Sequence, residues 1–475
     1  MSRVKRTLIF VHRWLGVPLS VFFALWFPSA IGMMYWDFPS VTPADRLVRA
    51  TPLERGSIGI TLEIALARSG LRGQPSEVHL NTFDGRPVYR IRAGRDERVV
   101  FADTGELRGT ASASTMRRVA ARWARRNEDE ARVDAVTTVD QWTVQSPLRT
   151  MRPLWKFSFA DGQQVYVSEA TGEVVQFTTT ASRIGAYLGP IPHWLYFTPL
   201  RQRQQLWNSV VIWSSGIATV AAALGLVIGT WMSAPNARIP YRGQKRWHTM
   251  FGLVFGAGAM TWAFSGMLSM DPFPTPSPAP VRVRDPLSID AFATRGPREA
   301  LVALAPLRVN ELEWVSVAGD PAYVATLDDG TTRVVPMTGS PARTFDAARI
   351  ATTLTSSGAK VSLQDRYDAY YLDRRHLKPL PVLKIFHQPA AASIAVSDTG
   401  PESVTYVDPA TARVVGSYSS NDWTKRWLYH GLHSLDLPWL YDHRPLWDIL
   451  VIAFMLGGTA LSVTAILLAY RVVVR

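Results

Sequence analysis

The stretch KRWLYHGLHSLDLPWLYDHRPLW, residues 425–447, sets three of the chain's nine histidines, His430, His433 and His443, just ahead of its last long apolar run. A second stretch reads the same way. His193 precedes Trp207 by fourteen residues in HWLYFTPLRQRQQLW (193–207), as His433 precedes Trp447 by fourteen in HSLDLPWLYDHRPLW (433–447). The shift is 240 residues (433 − 193 and 447 − 207). A second register agrees, because His12, Gly16 and Ser29 match His248, Gly252 and Ser265 at a shift of 236 (248 − 12 and 265 − 29). Two registers with nearly one shift point to internal duplication. The repeating unit is an apolar span, an external domain and a second apolar span.

The spans are the apolar runs 8–36, 207–231, 247–270 and 447–470. Each is long enough to cross the roughly 30 Å hydrocarbon layer as a helix of about 20 residues. Trp and Tyr at their ends suit the interfacial aromatic belts. Arg3, Lys5 and Arg6 precede the first span, Arg238, Arg242, Lys245 and Arg246 fill the loop between the second and third, and Arg471 and Arg475 close the fourth. By the positive-inside rule these ends are cytoplasmic. The first run is too long for a signal-peptide core and shows no convincing small-residue cleavage site, so it is read as a retained span. The expected organisation is residues 1–36 as N-terminus and first span, 37–192 as the first periplasmic region, and 193–233 as the second span with its periplasmic approach. A cytoplasmic loop, 234–246, leads to the third span at 247–270. The second periplasmic region, 271–429, and the fourth span with its approach and cytoplasmic tail, 430–475, complete the chain. The fold class expected is thus an integral membrane protein with four transmembrane α-helices, a duplicated two-helix unit, and two α+β extracytoplasmic modules.

Composition narrows the function. The net charge of +13 is spread over Arg-rich external loops and cytoplasmic flanks, and no basic run alternates with aromatics, so nucleic acid is not an expected partner. The chain has no cysteine, which excludes disulfides, iron–sulfur clusters, thiolate zinc sites and covalently attached c-type haem. Any redox centre must be held by histidine. No G-x-G-x-x-G follows a strand, so a fused dinucleotide-binding domain is not expected either.

The external regions alternate apolar and polar residues in short runs parted by turn residues. PVYRIRAGRDERVVFADTGELRG (87–109), FSFADGQQVYVSEATGEVVQF (157–177), PAYVATLDDGTTRVVPMTG (321–339) and SVTYVDPATARVVGSY (403–418) each read as a β-hairpin with its turn. STMRRVAARWARRNED (114–129) reads as a helix between hairpins, so each external region reads as one small α+β module or two, and TPSPAP (275–280) reads as a stiff linker.

An ionisable or ligating residue inside a span is costly, and by default it is a functional hypothesis. His12 and His248 stand within a turn or two of the cytoplasmic cationic flanks, whereas His193 and His433 stand at the external side. Each membrane face therefore carries one histidine from each repeat. Two imidazoles facing one another across a bundle supply the axial ligands of a b-type haem, a site that needs no local motif. Gly16, Gly252 and Gly256 let a flat macrocycle approach the backbone, and Arg13, Arg246, Arg201 and Arg444 are cations suited to its propionates. His433 is the expected outer ligand because it aligns with His193. His430 aligns with Pro190 and is expected beside that ligand, and His443 aligns with Arg203. His79, His376 and His387 lie inside the external regions and read as surface or core residues. Arg149, Arg152, Arg374 and Arg375 with Tyr370 and Tyr371 suit an anionic chelate, although a solvated charged face is the plainer role for each.

With VHRWLGVPLS (11–20), KRWHTMFGLVFGAGAMTWAFSG (245–266), VYVSEATGEVV (165–175) and HGLHSLDLPW (430–439), the chain resembles the PepSY-associated transmembrane family over essentially its whole length. The resemblance implies PepSY modules between the helices, haem b in the membrane with His12, His248, His193 and His433 at the ligand positions, and reduction of ferric siderophores outside the bacterial inner membrane. Together these readings predict a di-haem electron conduit whose donor is quinol or a separate cytoplasmic reductase and whose acceptor is a periplasmic ferric siderophore. Reducing Fe(III) to Fe(II) weakens its hold by hard oxygen ligands. Two rival classes share the same residues: a PepSY-type binding or regulatory protein anchored by its spans, and a transporter with a histidine-based metal or proton path.

Overall fold

A computed structural model of the chain describes residues 3–137, 139–233, 239–274, 282–355, 359–373, 375–387, 403–419, 422 and 425–474. Arg238, Arg475, Arg374 and the linker 275–280 lie outside the described residues.

Four long helices, α1 (Arg3–Tyr35), α2 (Gln204–Ser233), α3 (Gln244–Leu268) and α4 (Leu446–Val473), occupy the four apolar runs. All four are long and apolar enough to cross a membrane. The shortest has 25 residues, which at 1.5 Å per residue is about 37 Å, more than a bilayer's apolar layer. On α4 the buried positions Trp447, Val451, Met455, Gly458 and Ser462 recur every three or four residues. That stripe turns one face inward and leaves aliphatic side chains outside, the pattern of a helix packed on one side only. α1 packs on α2 and α4, and α3 packs on the same two, so α1 and α3 stand diagonally across the bundle. Small residues let the helices close up. A methyl group on Gly229 would lie 3.1 Å from the Leu253 side chain, and one on Gly256 would lie 3.0 Å from that of Leu226.

The sheets form between the helices of each pair. The first region holds β1 (Glu77–Phe83), β2 (Arg86–Ala93), β3 (Asp96–Phe101), β4 (Arg132–Thr137), β5 (Leu154–Ser158), β6 (Gln164–Ser168) and β7 (Val174–Thr178). The second holds β8 (Val309–Val317), β9 (Asp320–Leu327), β10 (Thr332–Pro336), β11 (Ala359–Gln364), β12 (Val382–His387), β13 (Ser403–Asp408) and β14 (Arg413–Ser419). Two-residue turns set the hairpin registers. Asp84 and Gly85 join β1 to β2, and Ala318 and Gly319 join β8 to β9; all four have positive φ, as a type I′ turn demands. The helices Leu62–Ser69, Ala113–Ala124, Pro297–Ala303 and Ala347–Thr355 each precede one run of strands.

The hairpins leave one or two α+β modules open for each region. Each region builds two α+β units, and the units nearest the chain's first and third spans fuse. Strand β1 pairs antiparallel with β8 at His79↔Glu313 and Leu80↔Leu312, giving one six-stranded sheet in the order β10-β9-β8-β1-β2-β3. The other two sheets are β4 to β7 and β11 to β14 in sequential order. One apolar core, with Leu80, Tyr89 and Ile91 from the first region and Leu312, Trp314 and Tyr323 from the second, runs through the fused sheet. The physical reason is the edge of β1, whose unpaired N–H and C=O groups need a partner. Alternation within a strand says nothing of which distant strand supplies it.

A polar hub crosses this seam. Glu311 and Glu313 are 7% and 6% exposed. Arg284 and Arg413 reach the Glu313 carboxylate at 2.6 and 2.8 Å. Asn81 donates to Glu311 at 2.8 Å and accepts from Arg90 at 3.0 Å, while Arg90 pairs with Glu173 at 2.6 Å. His79 Nδ1 lies 3.2 Å from the Glu311 carboxylate. All four α+β units meet here.

Candidate functional site

The bundle brings the four aligned histidines together as two facing pairs. His12 on α1 and His248 on α3 have ring centroids 6.3 Å apart. His193, on the short helix Pro190–Trp194, and His433, in the turn before α4, have centroids 5.9 Å apart. Each pair takes one ring from each repeat. The pairs sit at different depths: Ser29 and Ser265, which touch the outer rings, stand 17 residues beyond His12 and His248 (29 − 12 and 265 − 248). At 1.5 Å per residue the separation is about 25 Å, close to the thickness of a hydrocarbon layer.

The local structure that holds each ring is repeated as well. Leu195 and Leu435 both adopt the left-handed conformation, with φ of 53° and 52°, and so end the short helices that carry His193 and His433. The Trp207 indole donates to the Trp194 carbonyl at 2.8 Å, and the Trp447 indole to the Ser434 carbonyl at 3.1 Å, pinning each histidine-bearing turn to its long helix. All four rings are tethered through Nδ1: His12 to the Ala221 carbonyl at 2.9 Å, His248 to the Thr464 hydroxyl at 3.2 Å, His193 to Ser29 at 3.3 Å and the Trp26 carbonyl at 3.2 Å, and His433 to Ser265 at 3.1 Å. A ring oriented through one nitrogen offers the other to a metal, and such outer partners fix both its tautomer and its direction. Burial pushes His193 down to about 4, against the opposing Trp26 carbonyl, so its imidazole is neutral at pH 7, the form that ligates.

The residues fit a metal shared within each pair. A metal–imidazole bond of about 2 Å on each side of one ion puts the two ring centroids about 6 Å apart, and both pairs match that span. Among the described residues, no cluster of three or more His, Cys, Asp or Glu could hold a metal ion. Each pair offers two imidazoles to one ion. Beside the inner pair lies a cavity of about 540 Å³, lined by His12, His248, Gly16, Gly252, Gly225 and Gly256 among others. It falls within the roughly 300–1,000 Å³ of cofactor pockets. Gly225 is required at its wall, since a methyl there would stand 2.8 Å from the His12 ring.

Of the cations expected around these rings, Arg13 lines the cavity, together with Lys245 and Arg471, which sequence reasoning had placed only as flanks. Arg201 and Arg444 are engaged elsewhere. Arg201 is buried, donates to Gln204 and lies over the Trp207 ring; Arg444 pairs with Asp448 and lies over Trp447. Arg246 is not among the cavity residues. His430 does not face His193. It lies against Tyr429, whose ring in turn touches His433. His443 is exposed, with Nδ1 2.6 Å from the Trp439 carbonyl. His79 belongs to the seam, His376 packs on Tyr367, and His387 ends β12. Arg152 donates to the Thr143 carbonyl, Arg149 to that of Gln202, and Arg375 pairs with Asp37. Tyr371 is fully buried against Tyr406 and Tyr370 packs on Tyr418, so these side chains build the fourth α+β unit.

A third repeated constellation went unread in the sequence. Tyr166 donates to Asp140 at 2.5 Å with Lys156 3.8 Å from that carboxylate; Tyr406 donates to Asp368 at 2.9 Å with Lys384 at 2.6 Å. The signal was available, since both Asp–Lys spacings are 16 residues and Tyr166 and Tyr406 are 240 apart. Its hydrogen bonds cap turns, through Asp140 to Trp142 and Asp368 to Tyr370, which makes it structural.

No family model and no curated protein matches this chain.

Proposed function

We propose that the chain is an integral protein of the bacterial inner membrane that carries electrons outward through two b-type haems to a ferric siderophore. Both termini are cytoplasmic in this reading, and the sheet regions are periplasmic PepSY modules of the kind found in the PepSY-associated transmembrane family. The observation that carries the proposal is the pair of facing imidazoles at each of two depths, each taking one ring from each repeat and each ring tethered through Nδ1.

His12 and His248 would hold the inner haem, His193 and His433 the outer. A haem held between two imidazoles supplies a one-electron iron couple. The chain's own residues do the rest. Ala221, Thr464, Ser29, Trp26 and Ser265 keep the rings aimed, and their hydrogen bonds raise the basicity of the ligating nitrogens. Gly225 leaves room for the inner ring. Arg13, Lys245 and Arg471 put positive charge at the cavity wall, where it stabilises carboxylates of a bound cofactor. Phe23, Trp26, Phe27, Trp262 and Phe454 fill the space between the levels with packed rings and keep water out.

Absorption spectra of the purified protein, oxidised and dithionite-reduced, test the reading. Spectra of six-coordinate b-haem with two haems per chain support it. A colourless full-length protein refutes it and leaves the transporter and regulatory readings standing.

A further inference from the structure

A second cavity, of about 400 Å³, lies between β14 and the single π-turn Lys425–Gly431, and its wall includes Lys378, Tyr418, Asp422, Lys425, Arg426 and His430. Three cations and one carboxylate line it, and Lys425 also lies 3.9 Å from Asp271, which is not among the lining residues. The lining carboxylate is already engaged, since Asp422 accepts from the backbone and hydroxyl of Ser419 at 2.9 and 2.8 Å. Arg426 is 2% exposed. Its guanidinium donates to the Ala369 carbonyl and, at 2.7 Å, to that of Asp436, but Nη1 is buried with no hydrogen-bond partner among the described residues. A buried cationic donor without an acceptor is costly, and an anion entering the cavity would relieve it. π-turns of this kind occur most often at functional sites, because the inserted residue re-aims neighbouring side chains.

The fold does not require this pocket. At the shift of 240, Lys425, Arg426 and His430 match Gly185, Ala186 and Pro190. In the first half Gly185 is packed tightly on the Trp36 ring, and the corresponding space is closed. Lys425, Arg426 and His430 thus have no charged or imidazole counterpart in the first repeat. They also adjoin the outer histidine pair: the rings of His430 and Tyr429 are 4.6 Å apart, those of Tyr429 and His433 5.4 Å, and those of His433 and His193 5.9 Å.

We propose that this pocket binds a polycarboxylate anion, with Arg426 at its floor and Lys378 and Lys425 toward its mouth. Several cations spread around 400 Å³ suit several carboxylates on one ligand better than a single small oxyanion. The binding claim is independent of the haem; only the view that the iron-loaded form of the anion is the electron acceptor rests on the proposed function.

Isothermal titration of the full-length protein in detergent at low salt, with citrate and with redox-inert gallium(III) citrate, tests the site. Saturable one-to-one binding is expected, weakened at least tenfold in Lys378→Gln/Lys425→Gln, which alters only partly exposed side chains, and in Arg426→Gln. Absence of binding, or unchanged binding by the folded double variant, overturns the proposal. So does inorganic phosphate that binds as tightly as citrate. Binding by His433→Ala but not by the unaltered protein also overturns it, because the pocket would then be filled by the carboxylates of a cofactor. Citrate binding by a colourless protein upholds the pocket and removes only the electron-carrying reading.

Discussion

Trp207 donates to the carbonyl of Trp194, and 240 residues later Trp447 donates to that of Ser434; Ser29 holds His193, and Ser265 holds His433. In the helical part of the two repeats matching residues make matching contacts. At 425–430 the agreement stops, with Lys, Arg and His where the first repeat has Gly, Ala and Pro. The difference separates two kinds of constraint. Residues that face their own counterpart across the bundle are alike in the two halves, whereas residues at one corner carry charge in a single half.

The largest effect expected from breaking this symmetry is at the outer pair. His193→Ala and His433→Ala should each halve the haem content in a pyridine haemochrome assay, from about two per chain to about one. His12→Ala and His248→Ala should do the same for the inner pair, and His430→Ala should keep both haems with a small spectral change. Loss of a haem in His430→Ala with both retained in His433→Ala would break the matching of the repeats.

Next in size is the seam that joins the halves. Glu313→Ala leaves Arg284 and Arg413 without their shared buried carboxylate, and should cost about 3–5 kcal/mol in denaturant unfolding of the sheet regions. A cost near that of an exposed pair, about 0–1 kcal/mol, would mean that the hub is hydrated and the halves are less firmly joined.

A smaller effect tests the inner pair. Gly225 touches His12, whereas its counterpart at the shift of 240 is Ala465, which already carries a methyl. Gly225→Ala should therefore displace the His12 ring at an overpacking cost of about 1–3 kcal/mol, seen as lowered haem occupancy. Ala465→Gly should leave occupancy unchanged. Equal behaviour would show that the two walls of the cavity are interchangeable.

The smallest effect expected is one of pH. Burial disfavours charge on His79, but Glu311 and Glu313 outweigh it and raise its pKa above the ordinary value near 6.5. A group whose folded value is raised adds stability that is fully present below about 6.5 and is lost as pH rises through the folded value. Hydrogen exchange at β1 and β8 should accordingly speed up between pH 6 and 8 beyond its chemical pH dependence. In His79→Gln that excess should vanish; an excess that survives would place the titration elsewhere.

Much of this arrangement was legible in the chain. Span length, aromatic ends and the paired offsets of His12, Gly16 and Ser29 with His248, Gly252 and Ser265 carry the four helices and the pairing of the rings. Hairpins announced themselves through alternation and the turn residues between the runs. Fusion of β1 with β8 was not legible, because Leu80 and Leu312 are ordinary inward-facing positions whose partner is chosen by three-dimensional proximity. The hub was hidden for a related reason, its charges being scattered from His79 to Arg413. Arg201 and Arg444 misled because a cation near a histidine in sequence had a nearer Gln204 or Asp448 in space.

The seam also bears on how such a chain could have arisen. A single span–domain–span unit whose β1 edge met its own copy would form an isologous homodimer about a two-fold axis. Joining two copies end to end through the loop between α2 and α3 would make that interface internal. The present halves have moved past the point of return. His79 and Glu313 hold the same place in their hairpins, opposite Arg90 and Val324, so two copies of the second half, paired in the same register, would set Glu313 of one against Glu313 of the other, buried and alike in charge, while two first halves would set His79 against His79 with no carboxylate for either. Only unlike halves satisfy the hub, so this register suits one partner, tethered in the same chain.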